Sequence, residues 1–477
     1  MANAYQKVLK EVLRFVRPKP EEKKKLNAIS KKALAIAGKE AKKFQAKAIL
    51  AGSITRDTWL PGKMEFDVFI LFPSNLTEKR LEDFGLELGK EVMNKLKGGY
   101  KIEYAQHPYV SGEVAGVKID VVPCFDVKDP EKLKSAVDRT PFHVKYIEKH
   151  LSPALSDEVR LLKQFCNANK IYGADAKTQG FSGYVCELLI IKYGNFVNAL
   201  KDAVFWNPGH VIDIEGHYLN KDISKLRKTF KDQVLIIVDP TDKNRNTAAA
   251  ISAESFFKFK KIAKEFLKNA SGELFFEKEF KPVTENELIR LQMKRRTELL
   301  MVKFVPPSVV PDILWPQLRR FADRLQNILE EVKYEFRVLR KDSYTNEKDL
   351  AVVLLEMEVS KLPTIQKRIG PSVTDFDDSQ RFINKYKAQV LAGPFIEDNY
   401  WAVEVNRKFL TAREKLIDSL NKDVNVLKAK GVPNFIAEQI AKGFEVISEN
   451  EKIMQLIKQD INFGTFLRRY FEKESLI

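Results

Sequence analysis

Gly52-Ser53-Ile54-Thr55-Arg56-Asp57-Thr58-Trp59-Leu60-Pro61-Gly62, followed after Lys63 by Met64-Glu65-Phe66-Asp67-Val68-Phe69-Ile70-Leu71-Phe72-Pro73, is the stretch on which the reading of this chain turns. Ahead of it, Leu26, Ile29, Ala33, Ile36, Ala37 and Phe44 recur at helical spacing, and residues 46–51 form a short apolar run bounded by glycine, as a buried strand does. A helix therefore feeds a strand that stops at Gly52. Gly52 and Ser53 end that strand and open a helix. A glycine there lets backbone N–H groups approach a phosphate, Ser53 adds a hydroxyl donor, and a helix N-terminus contributes partial positive charge. Arg56 lies one turn further along. Glu65 and Asp67 sit two apart in an apolar strand, so their carboxylates share a face, where two like charges are unfavourable unless a cation lies between them. That spacing predicts a divalent metal.

A third carboxylate, Asp120, follows Gly116-Val117-Lys118-Ile119 and precedes Val121-Val122, so it too interrupts an apolar strand. Three acids on neighbouring strands can hold two magnesium ions ~3.5–4 Å apart, an arrangement that activates an attacking hydroxyl and stabilises a leaving pyrophosphate. Taken singly, Glu-x-Asp on a strand reads as a solvated face and Gly-Ser as a turn. Phosphate-loop features followed by two acids and a third on a later strand point to catalysis.

The surrounding elements fit an α+β multidomain protein. Residues 66–72 are strand-like, 78–96 are helical and closed by Gly98-Gly99, and 101–105 and 117–122 are strand-like, giving a catalytic head with a small mixed sheet over 1–150. From Ser156 the periodicity is helical through Val159, Leu162, Phe165, Tyr184, Leu188 and Ile191, with one strand-like run at 234–238 leading into Asp239-Pro240. This is a mainly helical central domain over 151–270, closed by the basic amphipathic stretch 256–270. An α/β body over 271–370 follows, with strands at 299–304, 336–340 and 350–357 around a helix at 314–332. The tail, 371–477, is helical and lysine-rich from Thr411 onward.

Length agrees with this division, since single cores stop growing near ~250–300 residues and the chain has 477. A content of 44% hydrophobic and 31% charged residues excludes a disordered chain. The formal charge of +16 favours a polyanionic partner such as nucleic acid. Cys124, Cys166 and Cys186 form no CxxC or Cys/His pattern, so neither a zinc site nor a disulfide framework is indicated, which fits a reducing compartment. No run approaches the ~20 apolar residues of a membrane span, and the protein is expected to be cytoplasmic.

The Gly-Ser turn, the paired acids and the third acid resemble the nucleotidyltransferase superfamily of DNA polymerase beta. The longer string Gly-Ser-x-x-Arg-x-Thr-Trp-Leu-x-Gly, with the apolar run ending in Pro73, resembles the class I, archaeal-type CCA-adding enzymes. Segments in the same family's order are Gln106-His107-Pro108-Tyr109-Val110, Val121-Val122-Pro123-Cys124, Arg139-Thr140-Pro141-Phe142-His143, Lys163-Gln164-Phe165 with Tyr172-Gly173, and Asp239-Pro240-Thr241-Asp242 with Arg245-Asn246. The later half resembles the family mainly through Asp377-Asp378-Ser379-Gln380-Arg381-Phe382 and Ala392-Gly393-Pro394-Phe395.

The resemblance implies template-independent addition or repair of the 3′-terminal CCA of tRNA from CTP and ATP. Glu65, Asp67 and Asp120 would bind two Mg²⁺ ions, and Gly52, Ser53, Arg56, His143, Lys163 and Tyr172 would hold triphosphate and ribose. Thr140 would add a hydroxyl contact and Arg245 would face the base. Donors of these types suit phosphate oxygens, and an arginine fork can pair with a base edge. Without the motif context His143 reads as a satisfied polar residue and Lys163 as a solvated charge. His107 fits a turn as well as a contact, and His150, His210 and His217 carry no role. Lys294, Arg295 and Arg296 form a basic cluster that could grip RNA phosphates, a solvated helix face being the alternative. The oligomeric state, monomer or homodimer, stays open. Two other readings are a poly(A) polymerase or oligoadenylate synthetase, against which the Thr58-Trp59-Leu60 string argues, and an inactive RNA-binding scaffold, whose expected loss of a metal carboxylate is absent.

Overall fold

The computed structural model describes residues 2–104, 106–218, 220–331, 334–388 and 390–473. The described residues divide into two compact units, the first running to Lys278 and the second starting at Glu279. The expected strand end at Ala105 and helix end at Val332 lie outside the described residues.

The first unit opens with helices α1 (Ala2–Val16) and α2 (Pro20–Ala41), then alternates β1 (Lys47–Ala51), β2 (Glu65–Pro73), α3 (Glu78–Leu96), β3 (Gly99–Tyr104), β4 (Pro108–Val114) and β5 (Val117–Asp126). These strands make one sheet in the order β1-β2-β5-β4-β3. β2 and β5 are its centre and run parallel, while β1, β4 and β3 are each added antiparallel to a neighbour. The alternation in β2 sends Phe66, Val68, Ile70 and Phe72 into a core closed by α2 and α3, and leaves Glu65 and Asp67 on the other face. Part of that second face is covered by α4 (Thr140–His150), whose Val144 packs with Phe69, Leu71 and Cys124. The remainder carries the acids.

Next come α5 (Ser156–Ala168), α6 (Gly183–Tyr193), α7 (Phe196–Ala203), β6 (His210–Ile212), α8 (Asn220–Thr229), β7 (Leu235–Asp239), β8 (Asp242–Asn246) and α9 (Ala253–Lys268). Phe165, Phe196, Phe259, Phe266 and Phe275 build their shared core, with Phe165 and Phe275 rings 5.3 Å apart. Aromatic edge and tilted packing of this kind adds to the burial of large apolar area.

The second unit contains α10 (Glu285–Arg295), β9 (Glu298–Phe304), α11 (Pro311–Leu329), β10 (Arg337–Thr345) and β11 (Ala351–Val359). A three-stranded sheet follows from β12 (Ile365–Ser372), β13 (Ala392–Glu397) and β14 (Tyr400–Asn406), with α12 (Phe376–Tyr386) between β12 and β13. The chain then runs through α13 (Ala412–Leu420), α14 (Val424–Ala429), α15 (Asn434–Lys442), β15 (Glu445–Ile447), α16 (Asn450–Gln459) and α17 (Ile461–Phe471). β15 returns to pair with β9, so the sheet order is β10-β11-β9-β15 and the last helices share a core with the sheet.

One close approach fixes the height of α3 above the catalytic sheet. A Cβ on Gly89 would lie 2.7 and 2.8 Å from Val110 Cγ2 and Cβ, in a fully buried, β-branched neighbour that has little room to give. Gly38 in α2 has nothing within 4 Å of such a Cβ. Gly89→Ala is therefore expected to lower Tm, as overpacking of about 1–3 kcal/mol exceeds the helix-propensity gain. Gly38→Ala should raise it by the equivalent of about 0.5–1 kcal/mol. Thermal unfolding of the two variants checks the contrast.

Candidate active site

Parallel pairing of β2 with β5 is what assembles the acids. Asp67 lies opposite Asp120, and Glu65 opposite Lys118, in one unbroken register. Across the other edge of β2, Ala51 faces Asp67, so β1 delivers Gly52 beside the same carboxylate. Gly52 has φ +89°, and a Cβ there would come 3.3 Å from Asp67 Oδ2. The backbone conformation strains any larger residue, and a Cβ would press the Asp67 oxygen back by a few tenths of an ångström. Ser53–Arg56 is a single 3-10 turn rather than the start of a long helix. The expected macrodipole is thus absent, and what this turn offers an anion is its backbone N–H groups and the Ser53 hydroxyl, which makes no hydrogen bond to a described residue.

Asp120 is held from two sides. Ser111 on β4 donates its hydroxyl to Oδ1 at 2.6 Å, and Lys118 donates to Oδ2 at 3.1 Å. Among the described residues no ion pair neutralises Glu65 or Asp67. Burial, together with the carboxylates of Asp120 and Glu65, pushes the Asp67 carboxyl up to about 7, against the opposing pull of Lys118 and Arg56. Three carboxylates, of which Glu65 and Asp67 lack a cationic partner and Asp67 is also crowded towards protonation near neutrality, are a hard oxygen donor set suited to Mg²⁺. The three are more widely spread than a cage for one ion. The described cluster whose ligand atoms all lie within 4.8 Å of one another is instead Glu78, Glu82 and His107, on α3 and the segment before β4.

The other expected nucleotide contacts fall into two clusters, each organised by a buried carboxylate that the sequence reading did not single out. In the first, Glu187 on α6 is 1% exposed. Its Oε2 accepts from Arg56 at 3.0 Å, and its Oε1 accepts from Thr58 at 2.6 Å and from Lys163 on α5 at 3.2 Å. Lys163 also donates to the Thr58 hydroxyl at 3.0 Å and is itself 2% exposed, so it is a buried, paired cation in place of the solvated charge a helix-borne lysine suggests. Burial alone would raise the Glu187 carboxyl, but Lys163 and Arg56 outweigh it and keep the group ionised. Tyr172 lies alongside, its hydroxyl raised by burial and by the charges of Glu187 and Glu65, with the Lys63 ammonium 5.0 Å from its ring centre.

In the second cluster Asp239, fully buried at the end of β7, accepts from His143 Nε2 and from Arg245 Nη1, each at 2.8 Å, on the same oxygen. Thr241 and Tyr184 donate to the other oxygen. Burial opposes ionisation here as well, and the His143 hydrogen bond leads the groups that nevertheless hold Asp239 far below the usual carboxylate range. The Arg245 side chain stays 36% exposed, so its fork is anchored at one end and open at the other. Thr140 begins α4 half-buried, next to Arg139, which reaches Asp242 through Nε at 3.3 Å and Nη2 at 3.2 Å.

The first turn of α6 joins the two clusters. A Cβ on Gly183 would lie 3.2 Å from the Tyr172 hydroxyl and 3.6 Å from Lys163 Nζ, while the next residue, Tyr184, stacks on His143 with ring centres 4.1 Å apart. One signal for Glu187 was present in the sequence. It is the sole acid in a helix that is apolar almost all round, and a charge placed there requires a buried cation. Asp239 stood in a quoted motif without a role, because only the fold brings it to His143, 96 residues away.

The basic cluster of the second unit is divided. Arg295 gives Glu356 two hydrogen bonds, at 2.5 and 3.0 Å, and Thr297, Arg340 and Tyr470 complete the shell of that fully buried carboxylate. Lys294 and Arg296 point to solvent.

The sheet with its acids and glycine turn defines a nucleotidyltransferase, and residues 30–143 match the nucleotidyltransferase domain model. Residues 157–276 match the second domain of tRNA nucleotidyltransferase, and 295–449 the C-terminal domain of the CCA-adding enzyme. The CCA-adding enzyme of Methanosarcina acetivorans is 36% identical over 463 residues, covering 96% of this chain and 97% of that one. That of Methanocaldococcus jannaschii is 35% identical over 455 residues, covering 94% and 97%. The chain belongs to the CCA-adding enzyme family.

If a cation binds at Asp67, the crowding there makes that binding pH-dependent. A proton occupies the metal-free carboxylate below about 7 and must leave when an ion binds. The rise in Tm on adding MgCl₂ should be full at pH 8 and shrink as pH falls through 7. Without metal, a carboxyl raised from 3.8 to about 7 lowers stability as pH climbs through that interval. Thermal scans at pH 5.5 and 8, with MgCl₂ and with EDTA, test both signs; an equal magnesium effect at the two pH values contradicts the assignment.

Proposed function

We propose that this enzyme adds or repairs the 3′-terminal CCA of tRNA from CTP and ATP, by a two-metal nucleotidyl transfer that needs no template. The observation that carries the reading is the register placing Asp67 opposite Asp120 beside Gly52, in a chain 36% identical to a CCA-adding enzyme over 96% of its length. Glu65, Asp67 and Asp120 would hold two Mg²⁺ ions. Such ions, when bound, favour ionisation of the attacking hydroxyl and offset the charge of the departing pyrophosphate. The tRNA 3′ oxygen forms a bond to the α-phosphorus as the bond from that phosphorus to the bridging oxygen of the β-phosphate breaks.

The protein's own work is positioning and charge. Ser53 and the backbone of its turn, with Arg56, Lys163 and Tyr172, would bind the triphosphate. His143 and Thr140 would lie towards the ribose, and the free end of the Arg245 fork towards the base edge. We assign catalysis to residues 1–150, nucleotide contacts also to the neck 151–270, and tRNA recognition to the body 271–370 and tail 371–477, where duplex RNA is read by shape, phosphates and 2′-hydroxyls. Lys294 and Arg296 suit phosphate contact, while Arg295 acts through its pairing with Glu356. With three unbridged cysteines and no described helix long and apolar enough to cross a membrane, the cytoplasm is the proposed compartment.

The test is incubation with magnesium and tRNA ending at the discriminator base, at C or at CC, with each labelled nucleotide singly and together. Termination at CCA is the expected result; a run of adenylates, or tight binding without incorporation, overturns it. Asp67→Ala and Asp120→Ala should each lower turnover by about 10²–10³-fold or more while tRNA affinity changes little, because dispersed basic contacts supply that affinity. Arg245→Ala should reduce discrimination between CTP and UTP, read as the ratio of their kcat/KM values.

A further inference from the structure

Arg56 and Lys163 are assigned above to the triphosphate, yet both charged ends turn to one carboxylate. Glu187 receives Arg56 on Oε2 at 3.0 Å and Lys163 on Oε1 at 3.2 Å, so the width of a single carboxylate sets the spacing of the two cations. Thr58 locks the arrangement by donating to Glu187 and accepting from Lys163. The side chains of Glu187 and Lys163 are 1% and 2% exposed, and that of Arg56 is 10% exposed.

The cluster itself sets two positive groups against one negative, a surplus of one positive charge within it, and Asp67 is the further carboxylate that acts on Arg56. Arg56 Nε is buried there with no hydrogen-bond partner. A surplus cation and an orphaned donor are both satisfied by an arriving anion. Thr58 N also donates to Ser53 O at 3.0 Å, so the lock reaches the turn that would hold the phosphates.

We propose that Glu187 is a positioning residue for the triphosphate: by clamping Arg56, Thr58 and Lys163 it fixes the glycine-serine turn and presents one net positive charge to the polyphosphate. This rests on the nucleotide site described under Proposed function. Replacing the acid with an amide turns an N–H₂ towards one of the cations and leaves both unneutralised. The fork or the ammonium must then swing away, and the turn moves with it.

The experiment compares wild type, Glu187→Gln and Glu187→Asp for CTP and CMP binding by calorimetry, and for KM and kcat in CCA addition. Glu187→Gln is expected to weaken CTP about tenfold or more, leave CMP within about twofold, raise KM more than it lowers kcat, and be partly rescued in Glu187→Asp. Equal loss of CTP and CMP, or CTP binding as tight as or tighter than wild type, overturns the proposal. Should Glu187→Gln not fold, Thr58→Val, which keeps every charge, carries the same comparison, with a severalfold loss specific to CTP expected and no loss refuting it. Wild type that incorporates no nucleotide refutes the underlying reading instead, so the two failures are distinct.

Discussion

Electrostatic repulsion among Glu65, Asp67 and Asp120 is the constraint around which the first unit is arranged. A parallel β2–β5 pair forces Asp67 and Asp120 face to face, and the alternation of β2 adds Glu65 to the same side. Lys118 and Arg56 relieve this crowding only in part, and burial with the two neighbouring carboxylates holds the Asp67 carboxyl up at about 7. The surrounding geometry then follows. The residue that follows β1, Gly52, leaves the Asp67 oxygen room by having no side chain, and β4 presents a small hydroxyl, Ser111, that holds Asp120 in place.

Buried carboxylates do the complementary work further from the acids. Glu187 and Asp239 each sit where solvent is excluded, and each remains ionised because two basic side chains converge on it. Buried ion pairs contribute little net stability compared with apolar packing of the same volume, and removing one member is costly. Their value here is geometric. They convert long, flexible side chains into donors with one orientation.

Much of this was legible in the sequence because it rests on short-range pattern. Two acids spaced two apart in the apolar run 65–72, the glycine after an earlier apolar run and the third acid in another apolar run located the sheet and the face that carries the acids. The strand β4 and the sheet β12-β14-β13 were not resolved. β4 carries Pro108, Ser111, Gly112 and Glu113 among its apolar residues, and β12 interleaves Lys367 and Arg368 with Gly370-Pro371, so neither reads as alternation. The helix start at Ser53 proved a single 3-10 turn, because Asp57 enters the left-handed region at φ 50° and the chain turns away. Arg295 resembled its neighbours Lys294 and Arg296 in sequence, and only the opposition of β9 and β11 brings Glu356 within reach of it. Contacts across 61 to 131 residues, such as Arg295 to Glu356 and Arg56 to Glu187, leave no local trace.

The first turn of α6 has a consequence for how such an enzyme can change. Gly183 borders the Tyr172 and Lys163 side, and Tyr184 borders the His143 and Asp239 side, on consecutive residues of one rigid helix. A mutation that tilts this helix moves both clusters at once, so under the proposed roles selectivity and anchoring would be inherited together. If Arg245 faces the base as proposed, altered base preference would be reached more readily from the β7–β8 hairpin that carries it than from the helix, and a transplanted specificity would have to bring the helix with it.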